Sequence, residues 1–263
     1  MYDFEFAKPA TIADAVAALG QEEAQALGGG QTLLPTMKQR LAQAEVLVSL
    51  TGIPEMKGVC INDAGAVCIG AATTHAEVAR ETAKSYPGLS ALANRIGDPA
   101  VRNRGTIGGS LANNDPSACY PAAALGSGAT IKTNARDIAA DDYFQGMFTT
   151  ALEDGEIITE VRFPVPQASN YQKFVQPASR FALVGVFVAK FADGVRVAVT
   201  GAASDGVFRW AEAEAALSAD FSKAAVDGLA VPGGDMIADL HGSAEYRAHL
   251  VKVLTGRAVA AAA

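Results

Sequence analysis

The sequence predicts an α+β fold, on three observations. Strand-like and helical patterns alternate in the first domain-sized stretch, strand pairs with interposed helices follow, and a hairpin signal with helical patterns closes the chain. At 263 residues the chain is long enough for two or three small domains. We expect domains at residues 1–54, 55–166 and 171–263, with a polar linker that reaches Asn170 before the third.

The first domain is predicted to be a small α/β unit. Residues 12–19 have the apolar spacing of an amphipathic helix, and Thr11 is placed to cap its first turn. Residues 24–27 and 46–50 are strand-like apolar runs. In the middle domain, residues 58–62 and 67–71 predict a strand pair around a turn.

Helices and a closing strand complete the middle domain. Helices are predicted over residues 74–84 and 89–95, and an alternating strand over residues 156–163. The third domain begins with predicted strands at residues 181–191 and 195–201, and the Asp193-Gly194 pair between them favours a type I′ turn. Its helices are predicted over residues 210–217, 222–229 and 243–259.

Composition and charge exclude several classes of partner. Half of the residues are apolar and 19% are charged, which is typical of a globular chain rather than a disordered one. The net charge of -7 leaves no broad basic surface, so neither nucleic acid nor an anionic membrane is expected as a partner. No apolar stretch is long enough for a membrane span, and the first residues lack the pattern of a signal peptide. We therefore expect a cytoplasmic protein.

Cysteine and histidine do not predict a metal centre. The three cysteines are too few for a four-thiolate iron–sulfur cluster, and with the three histidines they show no metal-ligand spacing. Cys60 and Cys68 flank the predicted turn of the middle domain and could face each other across it. We expect these two thiols in the core.

A first glycine loop stands between the second predicted strand and a helix predicted to run through Lys38 and Leu41. Its residues are Gly28, Gly29, Gly30, Gln31, Thr32 and Leu33. Glycines allow positive φ and close approach, so that successive N–H groups can surround a phosphate at a helix N-terminus. The spacing fits neither the Rossmann fingerprint nor a P-loop. A plain turn is the alternative.

A second glycine loop follows in the middle domain. The glycines Gly105, Gly108 and Gly109 permit close approach of the backbone. Short hydrogen-bonding side chains are offered by Thr106, Ser110 and Asn113. The Asp115 carboxylate could accept from a ribose hydroxyl or a flavin N–H. The alternative is a surface turn in which Asp115-Pro116 caps the next helix. Two such loops suggest a cofactor with two phosphates.

Together the loops closely resemble those of the FAD-binding medium subunits of the xanthine dehydrogenase and carbon monoxide dehydrogenase family of molybdenum hydroxylases. Residues 29–35 match the family's Gly-Gly-Gln-Ser/Thr-Leu-Leu-Pro loop. Residues 102–111 match its Arg-Asn-x-Gly-Thr-Ile-Gly-Gly-Ser/Asn-Leu loop, and Asp115-Pro116 follows as in the family. Shorter matches at residues 4–9, 155–158 and 179–182 extend the resemblance over nearly the whole chain.

The resemblance implies a p-cresol methylhydroxylase-type two-domain FAD-binding fold, followed by a small α+β C-terminal domain of antiparallel sheet plus helices. It implies FAD contacts from Gly28, Gly29, Gly30, Gln31, Thr32, Leu33, Thr106, Gly108, Gly109, Ser110, Asn113, Asp115, Ile158, Lys173 and Phe181. A solvated surface position for Lys173 and a core position for Phe181 remain alternatives. His75 could also lie near the cofactor, or could simply begin a helix.

Two positions depart from the family pattern. Asn113-Asn114-Asp115-Pro116 stands where many relatives carry His-Ala-Asp-Pro, and Cys119-Tyr120-Pro121 replaces a stretch in which an acidic residue often precedes Leu-Pro. Neither departure alters the glycines. The second weakens any expectation of adenosine contacts at that point.

The resemblance also implies a role in electron transfer. Electrons would pass from the [2Fe-2S] clusters of a small partner subunit through FAD to an external acceptor, while a large molybdopterin subunit oxidises the substrate, within a dimer of heterotrimers. The chain would be a flavoprotein oxidoreductase subunit, active only in the complex, with no catalytic residue of its own for the substrate. A stand-alone FAD oxidoreductase and a flavin-free scaffold remain alternatives. The sequence identifies neither the substrate nor the acceptor.

Overall fold

A parallel sheet opens the structure and carries the first glycine loop. The computed structural model describes residues 1–231 and 236–262. The first sheet has the strand order β1-β3-β2, and both neighbouring pairs are parallel. Its elements are β1 (Glu5–Ala7), α1 (Ile12–Leu19), β2 (Ala24–Leu27), α2 (Leu33–Lys38) and β3 (Val46–Ser49). The predicted α/β unit is thereby confirmed.

Local chemistry explains the two helices of this unit. The Thr11 side chain accepts the Asp14 N–H at 3.1 Å, which confirms Thr11 as the N-cap of α1. Helix α2 ends at Lys38, short of the predicted Leu41, because Arg40 has a φ of 61° that a right-handed helix cannot include.

The second sheet is antiparallel and has the strand order β4-β5-β10-β6-β7. The chain enters it through a 3₁₀ turn (Pro54–Met56). Its elements are β4 (Val59–Ile61), β5 (Val67–Gly70), α3 (His75–Glu81), α4 (Pro87–Asn94), α5 (Pro99–Arg102), α6 (Ile107–Asn113), α7 (Tyr120–Ser127), β6 (Thr130–Thr133), β7 (Asp137–Ala139), α8 (Ala140–Tyr143), β8 (Phe144–Gly146), β9 (Thr149–Thr150) and β10 (Ile158–Phe163). Strands β8 and β9 form a separate hairpin.

Most predictions for this region are confirmed, with one correction among the cysteines. Strands β4 and β5, helices α3 and α4 and strand β10 occur where the patterns predicted them. Cys60 and Cys68 are directly opposite each other in the β4–β5 pair, as free thiols. Cys68 and Cys119 are buried, but Cys60 is exposed, so the prediction of a core position for Cys60 is wrong. The reason is that β4 is the edge strand of the sheet.

The third sheet is antiparallel and has the strand order β11-β12-β13-β14. Its elements are β11 (Ala168–Val175), β12 (Ala182–Phe191), β13 (Gly194–Ala203), β14 (Gly206–Arg209), α9 (Ala211–Ala219), α10 (Ala224–Asp227) and α11 (Ala244–Ala261). The predicted strands and helices of this region are confirmed. The predicted third domain, residues 171–263, includes residues 232–235 and 263, which lie outside the described residues.

Two details of this region differ from expectation. The β12–β13 hairpin is present, but Asp193 is not among the residues with positive φ, so the predicted type I′ turn is wrong. Strand β11 begins at Ala168 and pairs with β12 from there, so the polar stretch up to Asn170 is not all linker. Among the described helices, none combines the length and apolar character of a membrane span.

Helix α7 joins the second and third sheets. All of its residues are buried. A Cβ added to Gly126 would lie 3.0 Å from the Phe187 ring of β12. The Thr200 hydroxyl of β13 is 2.8 Å from the Pro116 carbonyl oxygen and 2.7 Å from that of Ala118. These contacts hold the third sheet against the segment that follows the second glycine loop.

A buried arginine attaches α11 to the third sheet. Arg247 is 2% exposed, and its Nη1 donates to the carbonyl oxygens of Leu183 at 2.7 Å and Gly201 at 2.8 Å. Its Nη2 donates to both carboxylate oxygens of Asp239, at 2.9 and 2.8 Å. Removing the guanidinium would leave two carbonyl groups without a donor in the core.

We predict that Arg247→Ala lowers the stability of the chain by about 3 kcal/mol, because a buried charge network loses its centre. The melting temperature should fall by roughly 6–12 °C. Arg257→Ala is the matched control, since Arg257 is an exposed arginine on the same helix. Equal melting temperatures for the two variants in a thermal scan would refute the structural role of Arg247.

Candidate functional site

A cavity of about 870 Å³ lies where the two glycine loops and the β11–β12 loop meet. Small-molecule and cofactor sites usually have roughly 300–1,000 Å³. Every residue that the resemblance implied as an FAD contact lines this cavity, from Gly28 in the first loop to Phe181 before β12. The fold therefore brings together side chains and backbone groups that are more than 150 positions apart in the sequence.

The two glycine loops are in direct contact. A Cβ added to Gly28 would lie 2.8 Å from the Thr106 hydroxyl, and one added to Gly29 would overlap the Arg104 carbonyl oxygen. The Cα of Gly105 would be 2.5 Å from the same added atom. Only glycine fits at Gly29, so the absence of a side chain is what lets the first sheet approach the second loop.

The second loop uses its backbone donors within the protein. The Gly108 N–H donates to the Ala71 carbonyl at 2.9 Å, and the Ile107 N–H donates to that of Thr73 at 3.2 Å. The Gly109 N–H donates to the Thr106 hydroxyl, which caps α6. A Cβ added to Gly108 would lie 2.6 Å from Ala71 Cβ. Gly108 thus lets α6 lie against Ala71, directly after β5, and the N–H groups of Gly108 and Gly109 already have acceptors.

The first loop is different, because its backbone donors are free. Within the described part of the chain, none of the N–H groups of residues 28–33 donates to a protein acceptor, although all six residues line the cavity. The Gln31 side chain folds back to donate to the Gly29 carbonyl at 3.2 Å. A row of unpaired N–H groups at a helix start is suited to bind an anion.

The second loop offers side chains instead. Ser110 and Asn113 line the cavity, and among the described residues neither side chain has a hydrogen-bond partner. Asp115 accepts the Ser117 N–H at 2.8 Å through one oxygen and lines the cavity. It does not cap the next helix, whose N-cap is Cys119, so that part of the alternative is wrong. The two loops therefore offer different groups to a ligand: the first offers backbone N–H groups, and the second offers side chains.

Lys173 is not a solvated surface lysine. Its side chain is buried, and Nζ donates to the Arg95 carbonyl at 2.9 Å. The Arg95 guanidinium in turn donates to the Lys173 carbonyl at 3.0 Å and to that of Tyr171 at 3.2 Å. The end of α4 therefore holds β11, and the ammonium group of Lys173, at the cavity wall.

Phe181 lies at the other side of the same loop. It is half-buried and lines the cavity, and its ring meets that of His241 edge-on, with 5.8 Å between the centroids. The core alternative for Phe181 is therefore wrong. Ile158 at the start of β10 is buried and adds an apolar surface to the cavity.

His75 also lines the cavity, at the start of α3. The capping box of Thr74 and Glu77 fixes this helix start, and the His75 N–H donates to the Gly105 carbonyl at 2.9 Å. Nδ1 is buried and has no partner within the described residues. Burial, and next the nearby Arg102, lower the pKa of His75 from 6.5 to about 4, so its imidazole is neutral at pH 7.

Several lining residues were not predicted from the sequence as FAD contacts. Glu156, Phe148 and Arg180 are examples. The Arg136 guanidinium, 3.1 Å from the Glu156 carboxylate, is the main reason that the pKa of Glu156 falls to about 2. Glu156 therefore anchors the turn before β10. The position of Phe148 depends on a hydrogen bond from its N–H to the distant Asn114 carbonyl, which no local sequence pattern indicates.

Comparison with known proteins gives a consistent result. Residues 2–166 match the family model described as the FAD-binding domain in molybdopterin dehydrogenase. The chain is 33% identical to the carbon monoxide dehydrogenase medium chain of Hydrogenophaga pseudoflava, with 98% of this chain and 96% of the relative covered. It is 34% identical to the nicotine 6-hydroxylase medium subunit of Paenarthrobacter nicotinovorans, with 97% and 95% covered.

Solved structures agree with the sequence comparison. A carbon monoxide dehydrogenase from Hydrogenophaga pseudoflava superposes with a TM-score of 0.88 at 33% identity, covering 99% of this chain and 97% of the other. Quinoline 2-oxidoreductase from Pseudomonas putida 86 superposes with a TM-score of 0.86 at 28% identity, covering 98% and 96%.

His75 leads to a prediction about acid stability. Its pKa is lower in the folded chain than in the unfolded chain, so the unfolded chain takes up the proton first as the pH falls. Above pH 6.5, His75 does not lower the free energy of unfolding. As the pH falls from 6.5 to 4, protonation of His75 in the unfolded chain lowers that free energy progressively, by about 3 kcal/mol in all. We predict that His75→Phe removes this part of the acid sensitivity of the flavin-free chain, as measured by urea unfolding at several pH values.

His249→Gln is the control for loss of an imidazole as such, because His249 is exposed. If His75→Phe and the unaltered chain lose stability in parallel between pH 6.5 and 4, His75 is not the neutral, buried group described here.

Proposed function

The chain belongs to the family of FAD-binding domains of molybdopterin dehydrogenases, and we propose that its cavity holds FAD with the pyrophosphate on residues 28–33. It is an FAD-binding electron-transfer subunit of a molybdenum hydroxylase complex, and thus a flavoprotein oxidoreductase subunit. The family resemblance of the two glycine loops is confirmed. The contacts of individual residues with FAD are our proposal.

The row of free N–H groups in the first loop carries the proposal. Six consecutive residues line a cavity of cofactor size, and none of their backbone N–H groups has an acceptor within the described residues. These residues are half-buried or exposed, so their N–H groups are open to a ligand that enters the cavity, and an anion could accept hydrogen bonds from several of them at once. Helix α2 begins at Leu33, so its N-terminal dipole adds to the same attraction. A pyrophosphate is an anion that could both accept from these N–H groups and lie at the N-terminus of α2.

The remaining residues are assigned by what each can offer. Thr106, Ser110 and Asn113 provide hydroxyl and amide groups for the polar chain of the cofactor, and Asp115 can accept from a hydroxyl or a ring N–H. Gly108 and Gly109 act indirectly. Gly108 lets α6 lie against Ala71, directly after β5, and Gly109 donates its N–H to the Thr106 hydroxyl at the start of α6. Ile158 offers an apolar contact.

Two residues of the third sheet are assigned to the ring system. The Lys173 ammonium, held by the Arg95 carbonyl, places a positive charge in the cavity wall, where it would stabilise negative charge on a reduced ring. The Phe181 ring provides an aromatic surface. Bound FAD would supply a centre that accepts electrons singly and releases them in pairs. The described residues include no group of His, Cys, Asp and Glu side chains that could hold a metal ion.

The assembly is the second part of the proposal. We propose a small [2Fe-2S] subunit as the electron donor and a large molybdopterin subunit as the site of substrate oxidation, in a dimer of heterotrimers. Its support is that the chain covers nearly the whole length of relatives named medium chain or medium subunit. Three free cysteines fit a reducing compartment, which supports the cytoplasm as its location.

The domain division is proposed in the same way. We propose FAD-binding domains of the p-cresol methylhydroxylase type at residues 1–54 and 55–166, each with its own sheet. The third domain would begin at Ala168, where β11 starts, rather than at residue 171. A stand-alone oxidoreductase would need a substrate pocket besides the flavin cavity, and a flavin-free scaffold would not need the free donors of residues 28–33.

We predict that Gly29→Ala weakens FAD binding. The added methyl group would overlap the Arg104 carbonyl and push the first loop away from the second. Overpacking costs about 1–3 kcal/mol, which corresponds to a loss of affinity of roughly five- to 150-fold. The visible absorbance of flavin in the purified or reconstituted chain measures the effect.

Gly228→Ala is the matched control, because Gly228 has a φ of -88° and nothing lies within 4 Å of an added Cβ. The control should retain the flavin content of the unaltered chain. An unaltered chain that stays colourless after incubation with FAD would contradict the proposed function itself.

A further inference from the structure

A strained phenylalanine stands at the rim of the cavity. Among the described residues, five that are not glycine have positive φ, namely Glu23, Arg40, Asn114, Phe148 and Arg180. For a bulky side chain such as that of Phe148, whose φ is 54°, this conformation is a clear outlier. Such strain persists only where surrounding contacts impose it, and it is concentrated at functional sites.

Asn114 imposes this conformation. It ends α6 in the left-handed conformation, and its buried amide donates to the carbonyl oxygens of Gly146 and Thr149, both at 2.8 Å. The backbone carbonyl of Asn114 accepts the Phe148 N–H at 3.2 Å. These three hydrogen bonds fasten the tip of the β8–β9 hairpin to the end of α6, directly after the second glycine loop.

The Phe148 ring has no role in the core. It is 57% exposed, it lines the cavity, and among the described residues no aromatic ring is paired with it. The neighbouring Met147 is also exposed but does not line the cavity. A ring held outward at the rim by a strained backbone gains nothing from the fold itself. It is placed to cover something that enters the cavity.

We propose that Phe148 is a further FAD-binding residue, whose ring covers one of the flat ring systems of the cofactor at the cavity rim, and that Asn114 is the residue that positions it. This inference rests on the proposed function. Aromatic rings stack favourably on flat heteroaromatic groups, and covering the rim would slow the escape of the cofactor.

The test is the rate of FAD release from the full chain, followed by flavin fluorescence after dilution. Phe148→Ala should release FAD about five- to tenfold faster, since a stacking contact is lost. Phe148→Trp should keep slow release. Met147→Ala, the matched control, should not change the rate. An unchanged rate of FAD release from Phe148→Ala would overturn the inference, whatever effect that substitution had on binding to a partner subunit.

Phe148→Gly separates binding from folding. Glycine accepts positive φ without strain, so the flavin-free Phe148→Gly chain should melt a few degrees higher than Phe148→Ala. It should nevertheless release FAD at least as fast as Phe148→Ala. A purely structural role for the ring would instead make release follow stability, with the more stable variant holding FAD longer.

Asn114→Gly tests the positioning role, because glycine keeps the left-handed conformation and removes only the amide. It should speed FAD release by a factor similar to Phe148→Ala. Added to Phe148→Ala, it should change release by less than about twofold, since coupled residues are not additive. Equal effects in both backgrounds would overturn the role of Asn114. A wild-type chain that binds no FAD would overturn the proposed function together with this inference.

Discussion

The contact between Gly29 and the Arg104–Gly105 peptide is the constraint on which the cavity depends. Because a Cβ at Gly29 would overlap the Arg104 carbonyl, the parallel first sheet can approach the antiparallel second sheet only with glycine at this position. That approach turns the first loop into a wall of the cavity. It also leaves the N–H groups of residues 28–33 without partners of their own, so that the site favours an anion before any ligand arrives.

The two glycine loops consequently do different work, although their sequences look alike. In the second loop Gly108 allows α6 to lie against Ala71, directly after β5, and the N–H groups of Gly108 and Gly109 are bonded within the protein. The loop then presents side chains such as Ser110 and Asn113. The third sheet adds the Lys173 ammonium, held through the end of α4. Backbone donors, side-chain groups and a cation thus come from three separate layers of the structure.

Local signals predicted the elements well and their placement less well. The Thr11 cap, the α/β unit and the β12–β13 strands follow from short-range propensity and periodicity, and all were confirmed. The type I′ turn at Asp193-Gly194 was wrong, because the observed backbone at Asp193 does not have positive φ. Cys60 was misplaced because an edge position depends on the strand order of the whole sheet.

The site shows the same division. The glycine loops could be found because each motif is contiguous, and every predicted contact residue lines the cavity. The burial of Lys173 depends on a carbonyl group 78 positions away, and the position of Phe148 depends on an asparagine 34 positions away. Such pairings arise from tertiary packing, which periodicity and composition do not encode.

Amide hydrogen exchange of the chain with and without FAD tests the central claim most directly. Free N–H groups exchange quickly, and groups with acceptors exchange slowly. We predict that the amides of residues 28–33 exchange fast in the flavin-free chain and become strongly protected when FAD is added, while those of Ile107, Gly108 and Gly109 are protected in both states. Protection of residues 28–33 before FAD is added, or no change on saturation, would contradict the account.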